Sequence, residues 1–335
     1  MLTELNTMKT TTKYKKKGPK KTAQQIITDQ MIALIEEREI APWQKEWCSN
    51  GVTLAGPNSP RNHVSPTVYK GVNVFTLAGR GFSSPYWLSY NQLAKLGGNV
   101  KGEKGTKILF FNWLLKDAND KVTKNPEEAV KKIPVWTHST VFNQEQISGV
   151  TFPEIPALAS DKPQHEKIAA AEALLDGYKN GPSTVFGGDR ACYWPDKDRV
   201  NVPRFEDFTS PEAAYATRLH EEIHGTGHSS RLNRPEVMTP TSYGTDMYSR
   251  EELVAELGAS YLSSITGCWT DKVKLNSAAY LKHWLEALKA DPKLLITAGS
   301  QANKAAEYIT GCPLDEWKAP SGGHFRTYIR SRFQS

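Results

Sequence analysis

The chain has 335 residues, 39% of them hydrophobic, and a formal net charge of +6, enough for two ordinary domains with apolar interiors and inconsistent with a disordered or fibrous protein. Its four cysteines, Cys48, Cys192, Cys268 and Cys312, are widely spaced and form no CxxC pair, which argues against a disulfide scaffold and fits a reducing cytosol. No apolar run approaches the ~18 residues of a membrane-spanning helix, so a cytoplasmic protein with no membrane partner is expected.

Residues 1–21 carry seven lysines against the single acid Glu4 and read as a flexible basic tail. From Thr22, apolar residues recur at Ile26, Ile27, Met31, Leu34 and Ile35, the period of a helix, which stops near Pro42. Strands are expected around TVYKGVNVF and KGTKILFFNWLL, with a short helix at YNQLAKLGG ended by its glycines. The segment 151–164, TFPEIPALASDKPQ, has three prolines and no periodicity. It reads as a linker between an N-terminal domain, 22–150, and a C-terminal domain, 165–335. In the second half, HEKIAAAEALLDGYK reads as a helix and ACYWPDKDRVNVP as strand, turn and strand, DRVNVP being an edge. SPEAAYATRLHEEIHG is a helix with Ser210 as cap and Pro211 in its first position. SREELVAELGASYLSSI and the stretch from Ser277 to Ile309 add further helices. Together these elements give an α+β protein of two domains.

Chemistry concentrates in HEEIHGTGH, residues 220–228. On a helix, His220 and His224 stand one turn apart on one face, where both imidazoles reach a single ion, and Glu221 beside them is placed as general base. His228 lies about 12 Å from His220 along a straight helix and cannot share that ion. The glycine-turn pattern HExxHxxGxxH would set its third histidine at Ser230, so His228 reads as structural, hydrogen-bonded within the turn, or as facing the substrate. A carboxylate from the next helix remains, the two-histidine, one-glutamate set of gluzincins. SREELVAEL offers Glu251, Glu252 and Glu256. Glu252 is favoured as ligand, with Glu256, one turn on, accepting the free N–H of a ligating histidine. Ser249 and Glu252 also fit a capping box, the purely structural reading of that pair. Tyr243 and Tyr248 are both candidates for oxyanion stabilisation. Zinc suits this donor set, as do manganese and cobalt.

The segments IITDQMIALIEEREIAPWQKEW, YKGVNVFTL, SSPYWLSYNQLAKLGGNVKGEKGTKILFF, VFNQEQISG, HEEIHGTGHSSRLNR and REELVAELGASYL occur in that order and resemble the ArdC-type antirestriction proteins of plasmids, phages and other mobile elements, over residues 22 to 310. The resemblance implies an N-terminal single-stranded DNA-binding domain, a C-terminal metallopeptidase-like domain and protection of incoming DNA from host restriction. Residue by residue it gives His220 and His224 as metal-binding histidines, Glu221 as the catalytic glutamate and Glu252 as the acidic ligand. The lysine-rich residues 1–21 fall outside the family pattern, as does the acidic EEREI before Pro42.

The N-terminal residues support a nucleic-acid partner independently. Residues 51–110 hold seven basic residues, Arg61, Lys70, Arg80, Lys95, Lys101, Lys104 and Lys107, against Glu103 alone. Aromatic rings interleave with them from Tyr69 to Trp113, the composition of a surface that stacks bases and tracks a backbone. Most of these rings are expected in the core, as are Trp43 and Trp47. Tyr86 and Trp87, in a loop after Ser83, Ser84 and Pro85, are the rings expected to be exposed. The DNA-binding set is thus Arg61, Lys70, Arg80, Tyr86, Trp87, Lys101, Lys104 and Lys107, with single-stranded DNA as partner and a protein or peptide as possible substrate of the metal site. Two further functions fit the residues: a DNA-dependent metalloprotease acting on DNA-bound or crosslinked proteins, and a binding protein whose ion is a structural staple, which the intact Glu221 disfavours.

Overall fold

The computed structural model describes residues 20–41, 52–155, 163–239, 246–269 and 278–319, the side chains of 246–249 and 278–280 excepted. Most of the basic tail, Trp43, Trp47, the middle of the 151–164 segment and Tyr243 lie outside the described residues.

The first helix, α1 (Ala23–Arg38), starts at a reciprocal capping box between Thr22 and Gln25 and ends at Glu39 in the left-handed conformation. Then follow β1 (Arg61–Asn62), α2 (Val72–Ala78), β2 (Tyr86–Ser89) and α3 (Tyr90–Lys95), the last started by a second capping box, between Ser89 and Gln92. Two long strands, β3 (Thr106–Lys116) and β5 (Lys131–Asn143), pair antiparallel along their length, with the short β4 (Val122–Thr123) on the outer edge near their tip. The sheet runs β1-β2-β5-β3-β4. Pro134 sits within β5 opposite Trp113, which is tolerated because β2 joins β5 only at Val141, Phe142 and Asn143, leaving the edge at Pro134 unpaired. The inner part of β3 also lacks a strand on one side. Two amides fill that place: Gln30 of α1 bonds both the N–H and the carbonyl of Lys107, and Asn73 of α2 does the same for Leu109.

A strand was expected around TVYKGVNVF, yet VNVFTLA forms α2. Gly71 at φ +60° turns the chain into it, and most of its residues are buried between β3 and the helices of the second half. Burial on several sides overrides the β preference of two valines.

The C-terminal half opens with α4 (Gln164–Gly177), followed by a three-stranded sheet of β6 (Ser183–Phe186), β7 (Cys192–Trp194) and β8 (Arg199–Val202). Its order is β6-β8-β7, so the segment DRVNVP is the centre of this sheet, not the expected edge; β6 and β7 are the edges. Then come α5 (Pro211–Thr226), α6 (Pro235–Met238), α7 (Asp246–Thr266), α8 (Ala278–Ala290) and α9 (Leu294–Thr310). α7 packs between α5 and α9. Gly258 permits the α5 contact: a Cβ there would fall 2.7–2.9 Å from three carbons of Ile223. No described helix is long and apolar enough to cross a membrane.

One hydrophobic core runs through both domains. Met31 and Ile35 of α1, Phe75 of α2 and Trp87 of β2 belong to the same buried cluster as Leu257 and Tyr261 of α7 and Leu295 of α9. Phe75 and Tyr261 rings meet at 5.2 Å, the Tyr261 hydroxyl donates to the Gly71 carbonyl, and Thr28 donates to the Pro292 carbonyl. Lys70–Glu307 and Lys289–Glu36 ion pairs of 2.7 and 2.8 Å bridge the rim.

Candidate metal centre

The centre is built where α5 crosses α7. Ser210 caps α5 by accepting from the Ala213 N–H, and Pro211 occupies its first position, as the sequence predicts. His220, Glu221 and His224 project from the helix into a cleft of about 390 Å³. The two Nε2 atoms face each other at 3.2 Å. From α7, the Glu252 carboxylate stands 3.7 Å from Nε2 of His220 and 3.6 Å from Nε2 of His224. Among the described residues these three are the set whose donor atoms converge, all within 4.8 Å of one another. An ion bonded at ~2.0–2.2 Å by three tetrahedral ligands needs donors about 3.3–3.6 Å apart, so the donors need almost no movement. A divalent cation of borderline softness therefore fits; the donors are nitrogen and carboxylate oxygen with no thiolate.

Surrounding groups fix the ligand orientation. Nδ1 of His224 lies 3.1 Å from Oε1 of Glu251; donating its proton there leaves Nε2 as the lone-pair atom aimed at the ion. Glu251 in turn receives a fork from the buried Arg234, Nε to Oε2 at 2.9 Å and Nη2 to Oε1 at 2.7 Å. Arg234 also donates to the Ile223 carbonyl and to Thr226 Oγ1. Burial opposes ionisation of Glu251, but the hydrogen bonds from His224 and Arg234 outweigh it and hold its pKa below the usual carboxylate range. For His224 too burial opposes the charge, and Glu251, Glu252 and Glu221 together outweigh it, raising its pKa to about 9. The expectation that Glu256 takes a histidine N–H changes accordingly. Glu251 has that contact with His224, while Glu256 stands 3.9 Å from Nδ1 of His220, beyond hydrogen-bond reach. A helix places residues 251 and 252 about 100° apart, so one helix can present a carboxylate to the ion and the next carboxylate to the histidine behind it.

The capping-box reading of Ser249 and Glu252 does not apply, because α7 begins at Asp246 and Ser249 lies inside it. Of Tyr248 only its place in this helix is described. His228 sits in the turn after α5, its Nδ1 accepting from the Ser230 N–H, away from the ion position. Arg231 ties that turn to the small sheet, donating to the Gly225 carbonyl and pairing with Asp198, which also accepts from the Tyr193 hydroxyl. The hydrogen bond from Arg231 holds the Asp198 pKa below its ordinary value. Cys192 and Tyr193 of the edge strand β7 line the cleft with Glu221.

The sequence-predicted DNA-binding residues are not all at the surface. Trp87 is 1% exposed, packed edge-on against Phe82 at 5.6 Å, and cannot stack a base: β2 is an inner strand and turns this ring into the core. Tyr86 is half-buried, close to His63 and Phe152. Arg61 donates to the Ser59 and Gly56 carbonyls, and Lys70 is paired with Glu307. Arg80, Lys101 and Lys104 are exposed and Lys107 half-buried.

A two-domain chain with a helix-borne HExxH, a carboxylate from a later helix and an edge strand along the cleft belongs to the zincin-like metallopeptidase class, and residues 169–301 match the family of zincin-like metallopeptidases. Residues 21–142 match the N-terminal domain of the anti-restriction factor ArdC. Crystal structures of the antirestriction protein ArdC from plasmid R388 superpose on this chain with a TM-score of 0.63: the metal-free form is 32% identical, covering 85% of this chain and 96% of that one, and the Mn(II)-bound form is 33% identical, covering 86% and 97%. The uncharacterized protein y4eC of Sinorhizobium fredii is 30% identical over 84% of this chain and 90% of its own length. DNA primase TraC of Escherichia coli is 32% identical over 87% of this chain. The chain spans only 20% and 25% of the two TraC proteins it matches. The chain belongs to the ArdC-type antirestriction family.

Proposed function

We propose that this protein binds single-stranded DNA entering a cell with a mobile element and shields it from restriction, and that its C-terminal domain holds a zinc or manganese ion at a peptidase-type site. The convergence of His220, His224 and Glu252 around one point, with Glu221 beside them, carries the metal reading; the ArdC-type N-terminal domain supports the DNA reading. The Mn(II)-bound form of the R388 protein supports a divalent ion. When bound, such an ion supplies Lewis acidity that polarises a carbonyl and acidifies water. The chain's own residues then divide the remaining work. Glu221, 8% exposed at the cleft floor, takes and returns the proton, Glu251 and Arg234 keep His224 oriented, and the open edge of β7 pairs with an extended peptide.

The deciding experiment is transfer of a plasmid into a restricting host with wild-type protein and with Glu221→Gln. We expect undiminished protection by the variant, because covering the strand is sufficient to defeat restriction. Loss of protection with the metal and the DNA affinity intact would favour cleavage of a host protein, the DNA-dependent metalloprotease reading. Metal analysis of the purified protein alongside binding to a labelled oligothymidine tests the two parts separately.

A further inference from the structure

Beyond the residues paired with β2, β3 and β5 continue as a two-stranded arm, joined among the described residues only by β4 near its tip. This arm carries the most exposed cluster of rings among the described residues. Trp113 is 54% exposed, Phe111 44% and Trp136 40%. Phe111 is registered directly opposite Trp136, and side-chain alternation sets Trp113 on the same face, one step towards the tip. Phe111 meets each tryptophan at 5.1 Å with interplanar angles of 81° and 58°, so no ring is stacked flat on another.

The charged side chains that β3 and β5 contribute to this face are of one sign. Alternation places Lys107 at its inner end and Lys132, opposite Leu115, at its outer end. The acids of the segment all lie in the 117–128 connection beyond the tip. Exposed aromatic surface flanked by lysines, with no carboxylate in either strand, complements a polyanion whose units have flat faces. Paired bases in a duplex have their faces covered by neighbours; unpaired bases do not. An apolar protein partner would have no need of the two flanking cations, and would leave them uncompensated.

We propose that this face, with Phe111, Trp113 and Trp136 as stacking rings and Lys107 and Lys132 as phosphate contacts, is the platform for single-stranded DNA. This rests on the DNA-binding reading above and names its site, moving it from Tyr86 and Trp87 to the arm.

The test uses the full chain and a labelled oligothymidine, read by anisotropy, with thermal melts as the check on folding. Trp113→Ala and Trp136→Ala should each weaken binding by about 5- to 140-fold, with unchanged melts. Lys132→Gln should reduce the salt slope by about 0.7. The double variant W113F/W136F should keep most of the affinity but lose most of the tryptophan quenching that the oligonucleotide causes; this readout stands even if an alanine variant misfolds. Full affinity in the alanine variants, or full quenching in W113F/W136F, would overturn the platform while leaving DNA binding in place. If the wild type itself fails to bind the oligonucleotide, the underlying DNA reading falls. Sedimentation covers the remaining occupant: alanine variants that lose self-association yet keep DNA affinity would assign the face to a second copy of the chain and refute the proposal.

Discussion

Glu251→Ala separates two things this side chain does. It removes the acceptor for His224 Nδ1, and it leaves the Arg234 guanidinium, 4% exposed, without the carboxylate that takes its fork. Removing one member of a buried charge pair costs about 3–5 kcal/mol, and loss of the group orienting a ligating histidine weakens metal binding about 10–100-fold. The variant should therefore melt well below the wild type and bind the ion more weakly. Glu251→Gln retains one accepting oxygen; in the position of Oε1 it serves both His224 and Arg234 Nη2, while the amide nitrogen opposes Arg234 Nε, donor against donor. Its metal affinity should stay near the wild type, within a few-fold, with roughly 1–3 kcal/mol lost from the fold. The double variant Glu251→Leu/Arg234→Met removes both charges and should recover much of the stability without recovering metal affinity. Chelator competition measures the affinity, and melts in the presence of chelator measure the fold. Wild-type affinity in Glu251→Ala, or full recovery of affinity in the double variant, would refute the role given to Glu251. Glu256→Ala should weaken metal binding less than Glu251→Ala, given the 3.9 Å gap to His220.

Three other outcomes follow from the same geometry. Glu252→Ala should abolish metal binding, whereas Glu221→Gln should keep the ion and the fold and eliminate any peptide hydrolysis; metal analysis and a generic peptide substrate distinguish them. Gly258→Ala forces a methyl against Ile223 and should cost about 1–3 kcal/mol by overpacking, with metal affinity falling as α5 and α7 separate, measured by melts and chelator competition. Trp87→Ala should destabilise the fold by about 3–5 kcal/mol yet leave the oligonucleotide affinity of the folded protein unchanged, the reverse of the pattern expected for Trp113.

What the sequence disclosed depended on how local the information was. The α5 cap, the histidine spacing and the run of β3 are written within a few residues, and the structure has them where the pattern puts them. The reach of Glu252 to both histidines required only that the helix carrying it, α7, pack on α5. Contacts set by three-dimensional neighbours were illegible. VNVF carries two valines and an aromatic, and only the enclosure between β3 and α9 makes it helical. Trp87 and Trp113 sit in similar company along the chain, and what separates them is whether a strand lies on the core side of the sheet or runs out on the arm. Arg234 is one of two arginines in HSSRLNR, and nothing in the sequence reveals that it folds back to the carboxylate that holds His224.

The core shared by the two halves bears on how such genes recombine. With Met31, Phe75 and Tyr261 in a single buried cluster, severing the chain between the halves would strip apolar surface from both, so neither is expected to spread as an independent cassette. Additional segments can be grafted outside the unit at much lower cost. The match to TraC has that form: 87% of this chain is aligned within a protein of which the match makes up 20%, so the part that matches the ArdC N-terminal domain and the part that matches the zincin-like domain occur there together.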